Sequence, residues 1–287
     1  MEQIAPGIYV SQAYPGINVG FVVTADGAVA VDAPPLPADA IAWRQRILDV
    51  TGGPIRCVVL TDDHPDRLIG VGWLGAPVVA GRGTLQRLAE GGESLWRATI
   101  EDWLRRRPDA EELERATRVM PEIAVAGAIT LHSSTPVVVE AVAGAAPGSV
   151  WVRLPEHEVL FTGDAVVVGS HPRLAEAPDT RAWLGTLVEL RRARFPARTI
   201  VPGRGPVGGK DSSRDVSEYI QLARRRIRSL HNAGAGRGEV AGLTAEFLAR
   251  FPITGEQDRA RITRQVQAGL ERVFEELRAE RIAAEEP

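Results

Sequence analysis

The sequence predicts an α/β (α+β) fold in which two packed β-sheets carry helices and a helical segment ends the chain. Strand and helix patterns alternate over the first half, as they do around a largely parallel sheet. Short β-branched runs follow one another between residues 129 and 162, which indicates a second sheet packed on the first. From about residue 207 onward the patterns are helical.

The first half contributes a hairpin, two further strands and two helices. These elements are a hairpin of residues 18–23 and 26–32, a helix over 37–49, strands at 55–60 and 77–80, and a helix over 83–90. An Asp-Gly turn joins the two apolar runs of the hairpin. Pro37 near its start, with Ile41 and Leu48 seven apart on one face, favours the first helix, which two glycines end.

The middle of the chain combines a polar helical segment with two strand pairs. Residues 93–119 are predicted to be helical with a break at Pro108. Trp96 and Trp103 lie seven apart on one face of this segment, so they either pack in the core, which is the favoured interpretation, or line a pocket. The strand pairs are a hairpin within 129–142, then residues 149–154 and 158–162.

The last part of the chain predicts a helical extension. Its helices cover residues 211–232, 239–250 and 256–284. In the last helix an apolar stripe is formed by Ile262, Val266, Leu270, Val273 and Leu277. This stripe packs either within the chain, which is the favoured interpretation, or on another subunit. We divide the protein into a domain of residues 1–207 and an extension of residues 208–287 packed on it.

Composition excludes several classes of protein. The chain has 287 residues, of which 44% are hydrophobic, so it can bury a substantial core. A net charge of -3 offers no general attraction to nucleic acid or to an anionic membrane. The single cysteine, Cys57, excludes a disulfide framework, and no apolar run reaches the ~20 residues of a membrane span. We expect a soluble cytoplasmic protein without nucleic-acid or membrane partners.

The strand at residues 55–60 runs into a loop rich in metal-ligand side chains. Residues 60–70 read LTDDHPDRLIG. Asp62, His64 and Asp66 recur with a period of two, so an extended loop would point all three side chains the same way. Carboxylates and imidazoles directed at one place are typical of a metal-binding loop.

This loop resembles the signature of the metallo-β-lactamase superfamily, L-T-H-x-H-x-D-H-x-x-G, with Asp62 and Arg67 in place of two histidines. Four other motifs are similar to the family in the same order. They are the hairpin at 18–32, residues 144–149 (GAAPGS, against G-H-T-P-G-S), residues 159–164 (VLFTGD, which is intact) and residues 201–206 (VPGRGP, against P-G-H-G-P). The resemblance implies a four-layer αββα sandwich with a metal site at one edge between the sheets.

The resemblance also implies which positions serve the family's two metal ions. The positions of Asp62, His64 and Ala145 belong to the first ion, those of Asp66, Arg67 and Arg204 to the second, and Asp164 is shared. Ala145 is therefore a lost ligand position. Arginine is a permanent cation without a lone pair to donate, so it cannot replace histidine as a ligand. We expect Arg67 and Arg204 to neutralise Asp66 and Asp164 in place of the second ion.

A residual single-metal site is the alternative. Asp62, His64 and Asp164 form an oxygen-rich set, and His171 is a candidate extra ligand. Such a set suits one divalent ion, which would be zinc, manganese or iron. The opposing interpretations are a packed core histidine at position 64 and a solvent-exposed loop histidine at position 171. The favoured expectation is that no metal is bound.

Two functions follow from these patterns. The favoured one is a degenerate family member that lacks dinuclear zinc hydrolase activity and keeps its cleft. There Arg67 and Arg204 suit a carboxylate or phosphate, so an anionic small molecule is the expected ligand, with a protein partner as a further option. The alternative is a mononuclear metal-dependent hydrolase of an ester, thioester or related bond, with Asp66 and Asp164 as its catalytic carboxylates.

Overall fold

A computed structural model describes residues 1–253 and 256–285 of the protein. The strands of its first sheet are β1 (Glu2–Ala5), β2 (Ile8–Tyr14), β3 (Ile17–Thr24), β4 (Gly27–Val31), β5 (Ile55–Leu60), β6 (Val78–Gly81) and β7 (Ile123–Val125). Those of the second are β8 (Ala128–Leu131), β9 (Val137–Ala141), β10 (Val150–Leu154), β11 (Val159–Phe161) and β12 (Thr199–Val201). The helices are α1 (Pro37–Thr51), α2 (Pro65–Leu68), α3 (Arg82–Arg106), α4 (Thr180–Arg191), α5 (Arg214–Asn232), α6 (Thr244–Leu248) and α7 (Glu256–Glu285).

The strand order brings four strand ends to one edge of the sandwich. The first sheet runs β1 to β7 in sequence order, antiparallel up to β4 and parallel from β4 to β7. The second sheet has the order β12-β11-β10-β9-β8, with β11 and β12 parallel. Val31 pairs with Val59, and Phe161 pairs with Val201. The carboxyl ends of β4 and β5, and those of β11 and β12, therefore lie side by side.

Three apolar clusters separate four layers. Valines of the two facing sheets, such as Val59 and Val152, form the central cluster. A second cluster lies between the first sheet and helices α1 and α3, with Trp43 at its centre. A third lies between the second sheet and helices α4, α5 and α7, around Trp183. The layer order is helix, sheet, sheet, helix, so the predicted αββα sandwich is confirmed.

The apolar stripe of α7 packs within the chain, as predicted. Val266, Leu270, Val273 and Leu277 are buried in the third cluster, and Ile262 is partly buried against it. The buried Arg224 of α5 reinforces this packing, since it donates to Thr180 at the start of α4 and forms ion pairs with Glu276 and Glu280 of α7. No helix in the described part of the chain combines the length and apolarity that a membrane span requires.

Two predicted helices differ from the structure in their faces or bounds. Helix α1 begins at Pro37 as predicted, but Ile41 is 53% exposed, and Trp43 and Ile47 form the buried face instead. The predicted face was wrong because Trp43 buries a larger apolar surface, packing edge-on to Phe21. The predicted helix over 239–250 is a short 3₁₀ turn (Arg237–Leu243) followed by α6, since two glycines fall within the turn.

Helix α3 joins the predicted helix over 83–90 to the part of the predicted helical segment before Pro108, whereas residues 109–119 contain only a 3₁₀ turn at Glu111–Arg115, which corrects that part of the prediction. It runs through a kink at Gly92, whose φ is 53°, and ends two residues before Pro108. Trp96 and Trp103 are both buried in the cluster under this helix, which confirms the core-packing interpretation, and Trp103 also lines a cleft, as the alternative interpretation predicted. Other elements had no clear sequence signal. Strand β7 and helix α4 were not predicted, because three residues make too short a pattern and α4 carries scattered polar side chains on its outer face.

Candidate functional site

The site lies where four strands end. Asp32 directly follows β4, Asp62 follows β5, Asp164 follows β11 and Arg204 follows β12. Parallel neighbours place their carboxyl ends at the same edge, and a crevice at that edge is where open α/β sheets bind ligands. The fold therefore gathers three aspartates and an arginine that are up to 172 positions apart in the sequence.

Arg67 is at the centre of the cluster and is fully buried. Its Nη2 donates to Asp164 Oδ1 at 2.8 Å, and its Nε donates to Asp32 Oδ2 at 3.0 Å. Its Nη1 lies 3.3 Å from Asp62 Oδ1, close enough for an ion pair but not aligned as a hydrogen bond. Burial alone would lower the pKa of Arg67, but the three carboxylates outweigh it and raise that pKa well above its ordinary value.

Arg204 covers the cluster on the cleft side. Its Nε lies 3.2 Å from Asp164 Oδ2, and its Nη1 lies 3.4 Å from Asp66 Oδ2. Its Nη2 is 3.3 Å and 3.2 Å from the two ring nitrogens of His64. Burial would raise the pKa of Asp164, but Arg204 and then Arg67 hold it well below its ordinary value. Asp164 is therefore a permanent carboxylate held between two guanidiniums.

Asp62 and His64 have shifted pKa values for different reasons. Burial raises the pKa of Asp62 to about 7; Arg67 opposes this shift and Asp164 adds to it. Its two oxygens accept backbone N–H groups, from His64 at 3.0 Å and from Asp164 at 3.2 Å. The pKa of His64 is well below its ordinary value because of burial and nearby arginines, so its ring is neutral. His64 Nδ1 accepts the N–H of Asp66 at 3.0 Å.

The loop after β5 is not extended through Asp66, which corrects the period-two prediction. The chain turns into α2 at Pro65, and His64 caps this short helix. Asp66 consequently lies on the cleft side, against Arg204 and Arg106, whereas Asp62 faces inward to Arg67. The proline at the first helical position, where its missing N–H costs nothing, starts this turn.

Asp32 is a site residue that the sequence interpretation missed. Its Oδ1 accepts the N–H of Thr61 at 2.9 Å, and its Oδ2 accepts the Thr61 hydroxyl at 2.7 Å as well as Arg67 Nε. Asp32 adopts φ of 57°, an uncommon conformation for a residue with a side chain, and the three bonds hold it there. The available signal was an acidic residue directly after a fully apolar strand.

Close packing around the two arginines depends on Gly203. A Cβ atom at this position would collide with Asp164 Oδ1 and Arg67 Nη2. The backbone N–H of Gly203 donates to the carbonyls of Gly163 and Val166, which fixes the loop after β12 against the loop after β11. The glycine thus allows the Arg67–Asp164 pair to form directly beneath Arg204.

A second ionic cluster supports the loop from the other side. Asp63 is buried and its Oδ2 lies 3.1 Å from Arg87 Nη1 of α3. The same nitrogen of Arg87 lies 3.0 Å from Glu176, which also pairs with Arg173 at 3.0 Å. This cluster ties the loop after β5 to α3 and to the segment before α4. The sequence interpretation did not identify it, because no short motif joins these residues.

A cleft of about 780 Å³ opens above Asp66 and Arg204. Its walls come from the end of α3 and the start of α7, with Trp103 on the α3 side. Six arginines line it: Arg105, Arg106, Arg107, Arg204, Arg261 and Arg264. Three aspartates line it as well: Asp66, Asp102 and Asp258. Among the described residues the lining therefore has three more arginines than aspartates, of which Arg107 and Arg204 also pair with Asp109 and Asp164 outside the lining.

Several donors at this cleft have no acceptor within the part of the chain that the structure describes. They are Trp103 Nε1, Arg106 Nε and Arg261 Nε, all buried from solvent. The Arg106 guanidinium lies 3.8 Å from the centroid of the Trp103 ring and donates to Asp66 Oδ1 at 3.2 Å. A buried donor without a partner costs about 1–3 kcal/mol. Because these three atoms are buried, a ligand in the cleft reaches them only after the side chains shift.

The family assignment comes from a match to the sequence itself. Residues 15–204 match the model of the metallo-beta-lactamase superfamily. The chain belongs to the metallo-β-lactamase superfamily. No curated protein is similar enough to this chain to count as a match.

Solved structures with the same fold include members of this superfamily. A metallo-beta-lactamase family protein from Thermus thermophilus is 20% identical, with a TM-score of 0.68, over 97% of this chain and 95% of its own. A metallo-beta-lactamase from Pontibacter korlensis is 22% identical, with a TM-score of 0.59, over 77% and 97%. A sec-alkylsulfatase from Pseudomonas sp. is 17% identical, with a TM-score of 0.68, over 96% and 49%. At these identities the likeness shows the fold alone.

The donor set does not fit the two zinc ions implied by the metallo-β-lactamase superfamily. The guanidiniums of Arg67 and Arg204 lie against the carboxylates that would hold the second ion. Ala145 is buried in an apolar cluster and offers no donor to the first. The described residues contain no group of three or more histidine, cysteine, aspartate or glutamate side chains arranged to hold a metal.

The residual one-metal set is also not arranged as ligands. Asp62 accepts two backbone N–H groups, and Asp164 is shared between two arginines. His171, a candidate extra ligand whose opposing interpretation was a solvent-exposed loop residue, is buried, with its ring centroid 5.9 Å from that of Tyr219 and 5.3 Å from that of Phe251. It lies there because the C-terminal helices fold over its loop. Its hydrogen bonds and ring contacts in the described chain are with those helices and the segment after α6, rather than with the aspartate cluster.

Proposed function

We propose that this protein is a non-hydrolytic member of the metallo-β-lactamase superfamily that binds an anionic small molecule in the cleft above Asp66 and Arg204. One observation carries the proposal: guanidiniums pair with the carboxylates at the metal positions, and the described residues that line the cleft above them include six arginines and three aspartates. Arginine pairs with carboxylate or phosphate through charge-assisted hydrogen bonds, and often through two at once.

The chemistry of the cluster supports binding over hydrolysis. Hydrolysis in the family uses a metal-bound water as nucleophile, which the ions activate at neutral pH. Asp164, with its pKa held low by two arginines, is a weak base. A positioned carboxylate base contributes about 10²- to 10⁴-fold even when its pKa suits the reaction. These residues are therefore suited to binding an anion rather than to activating a water molecule for hydrolysis.

Arg204 connects the buried cluster to the cleft. Its side chain is 18% exposed, and it lines the cleft next to Asp66. Its contacts to Asp66, at 3.4 Å, are long for charge-assisted hydrogen bonds, so a ligand oxygen can compete for the same N–H groups. An anion bound here accepts hydrogen bonds from Arg204 and is also attracted by the positive charge of Arg106.

Calorimetric titration with inorganic phosphate and sulfate at low ionic strength tests the proposal. We expect wild-type protein to bind these anions, and Arg204→Ala to lose about 10-fold or more in affinity. Arg225→Ala removes the same charge from an exposed position of α5 outside the cleft and serves as the matched control. Absence of anion binding by wild-type protein, or equal binding by Arg204→Ala, would contradict the proposal.

A further inference from the structure

One wall of the cleft comes from outside the region that matches the superfamily. The match ends at residue 204, whereas Asp258, Arg261 and Arg264 belong to the first turns of α7. The C-terminal helix therefore reaches across the open edge of the sandwich to a place above the aspartate cluster.

Among the described residues, the cleft arginines of α7 form fewer ion pairs than those at the end of α3. On the α3 side, Arg106 pairs with Asp66 and Asp102, and Arg107 pairs with Asp109. On the α7 side, the one ion pair that Arg261 forms with the described residues is to Asp258, through its Nη2. Within the residues that the structure describes, Arg264 forms no ion pair. In the described part of the chain, the arginine charge that no carboxylate neutralises is thus on α7.

We infer that α7 is the specificity element of the cleft and that the ligand is a small polyanion, with several adjacent phosphate or carboxylate groups, held between Arg106 of α3 and Arg261 and Arg264 of α7. This inference rests on the proposed anion-binding function and adds the ligand class and the residues that select it. Arg204 takes one anionic group at the base of the cleft, and the α7 arginines take the others.

Charge and size both favour several anionic groups over one. A single phosphate monoester reaches only a few neighbouring N–H groups, whereas the arginines of this cleft belong to the end of α3, to α7 and to the loop after β12. A cleft of about 780 Å³ is also far larger than one inorganic anion needs and falls within the usual range for small-molecule sites. A ligand with several adjacent anionic groups can contact arginines of both walls and fill more of this volume.

The α7 wall is held in place before any ligand binds. Arg224, which is buried, pairs with Glu276 and Glu280 of this helix, and Arg237 pairs with Glu271. These pairs lie C-terminal to Arg264 along the same helix. A pre-positioned wall reduces the ordering cost of binding, so the arginines near its start act as a rigid clamp.

Titrations of the full-length protein with tripolyphosphate, tricarballylate and inorganic phosphate test this inference. We expect wild-type protein to bind a polyanion at least about 10-fold more tightly than phosphate. Arg261→Ala/Arg264→Ala should lose about 10- to 100-fold in polyanion affinity while phosphate affinity changes by less than about 3-fold. The tighter of tripolyphosphate and tricarballylate identifies phosphate or carboxylate as the natural group.

The matched control is Arg225→Ala/Arg228→Ala, which removes two exposed arginines of α5 that do not line this cleft. Unchanged thermal unfolding of both double variants shows that they fold. If both lose polyanion affinity equally, general attraction explains the binding and the inference is wrong. If anions bind and the α7 variant matches wild type, the inference fails while the proposed function stands. If no anion binds to wild-type protein, both fail.

Discussion

Arg67 Nη2 lies 2.8 Å from Asp164 Oδ1, so a buried guanidinium holds the carboxylate that the family resemblance assigns to both metal ions. The same guanidinium contacts Asp32 and Asp62. Three carboxylates around one cation make a compact charge cluster inside the protein, and its energetics lead to several predictions.

Replacing Arg67 should destabilise the protein strongly. Arg67→Met removes the cation and leaves Asp32 and Asp62 buried without their main counter-charge, while Asp164 keeps only its pair with Arg204. Removing one partner of a buried ion pair costs about 3–5 kcal/mol, and urea unfolding measures this loss. Arg56→Met is the control, because Arg56 and its partner Asp26 are both exposed and such pairs contribute less than about 1 kcal/mol. Equal losses in the two variants would show that the cluster does not stabilise the fold.

Asp62 should make stability fall as pH rises. Its pKa in the folded chain, about 7, lies above its ordinary value of 3.8, so folding favours the protonated form. The stability that it contributes is complete below the ordinary pKa and is lost as pH rises through about 7. Asp62→Asn does not titrate, so its stability relative to wild type should increase between pH 4 and pH 7 by up to about 1.4 kcal/mol per pH unit.

Chemical denaturation at several pH values checks the Asp62 prediction. Asp26→Asn, at an exposed position, controls for a general effect of removing one carboxylate. A stability difference between Asp62→Asn and wild type that stays constant from pH 4 to pH 7 would contradict a raised pKa at this position.

Restoring the four changed positions should restore metal uptake. Histidines at positions 62, 67, 145 and 204 together replace the two guanidiniums and supply imidazole donors to the retained His64, Asp66 and Asp164. Elemental analysis after zinc loading should then show stoichiometric zinc in the variant and well below one ion per chain in wild-type protein. Histidines at 62 and 145 alone leave both guanidiniums in place and should take up much less. A folded quadruple variant that binds no zinc would show that the strand ends are not held as a metal site requires.

Loosening the packing of α7 should weaken anion binding, even when the substituted residue does not line the cleft. Arg224→Met removes the buried contacts to Thr180, Glu276 and Glu280. We expect faster hydrogen exchange along α7, a stability loss of about 3–5 kcal/mol and weaker anion binding. Arg226→Met is the matched control on the same helix, because Arg226 is half exposed and pairs with Glu246 of α6. Unchanged exchange of α7 in Arg224→Met would contradict this role.

The layers of the fold could be predicted because they follow from local patterns. Apolar runs such as residues 55–60 and the stripe of α7 must be buried. The family motifs around these runs indicated how the strands and helices follow one another. The inner face of α1 could not be predicted from spacing alone, since Trp43 rather than Ile41 determines which side packs. Strand β7 is too short for a periodic signal.

The candidate site could be predicted only where one motif contains it. Asp62, Asp66, Asp164, Arg67 and Arg204 all belong to recognisable loops and do come together. The roles of Asp32, Arg106 and Arg261 depend on contacts across the sandwich, which no local pattern encodes. Cleft walls built from the ends of two distant helices are visible only once the fold is known.

The metal content of wild-type protein tests the central claim, that guanidiniums have taken the place of metal ions, most directly. Protein purified without chelator, exposed to zinc, manganese and iron and then desalted, should retain well below one ion per chain by elemental analysis. One stoichiometric ion that survives desalting and disappears in His64→Ala would contradict the claim and support a single-metal hydrolase instead.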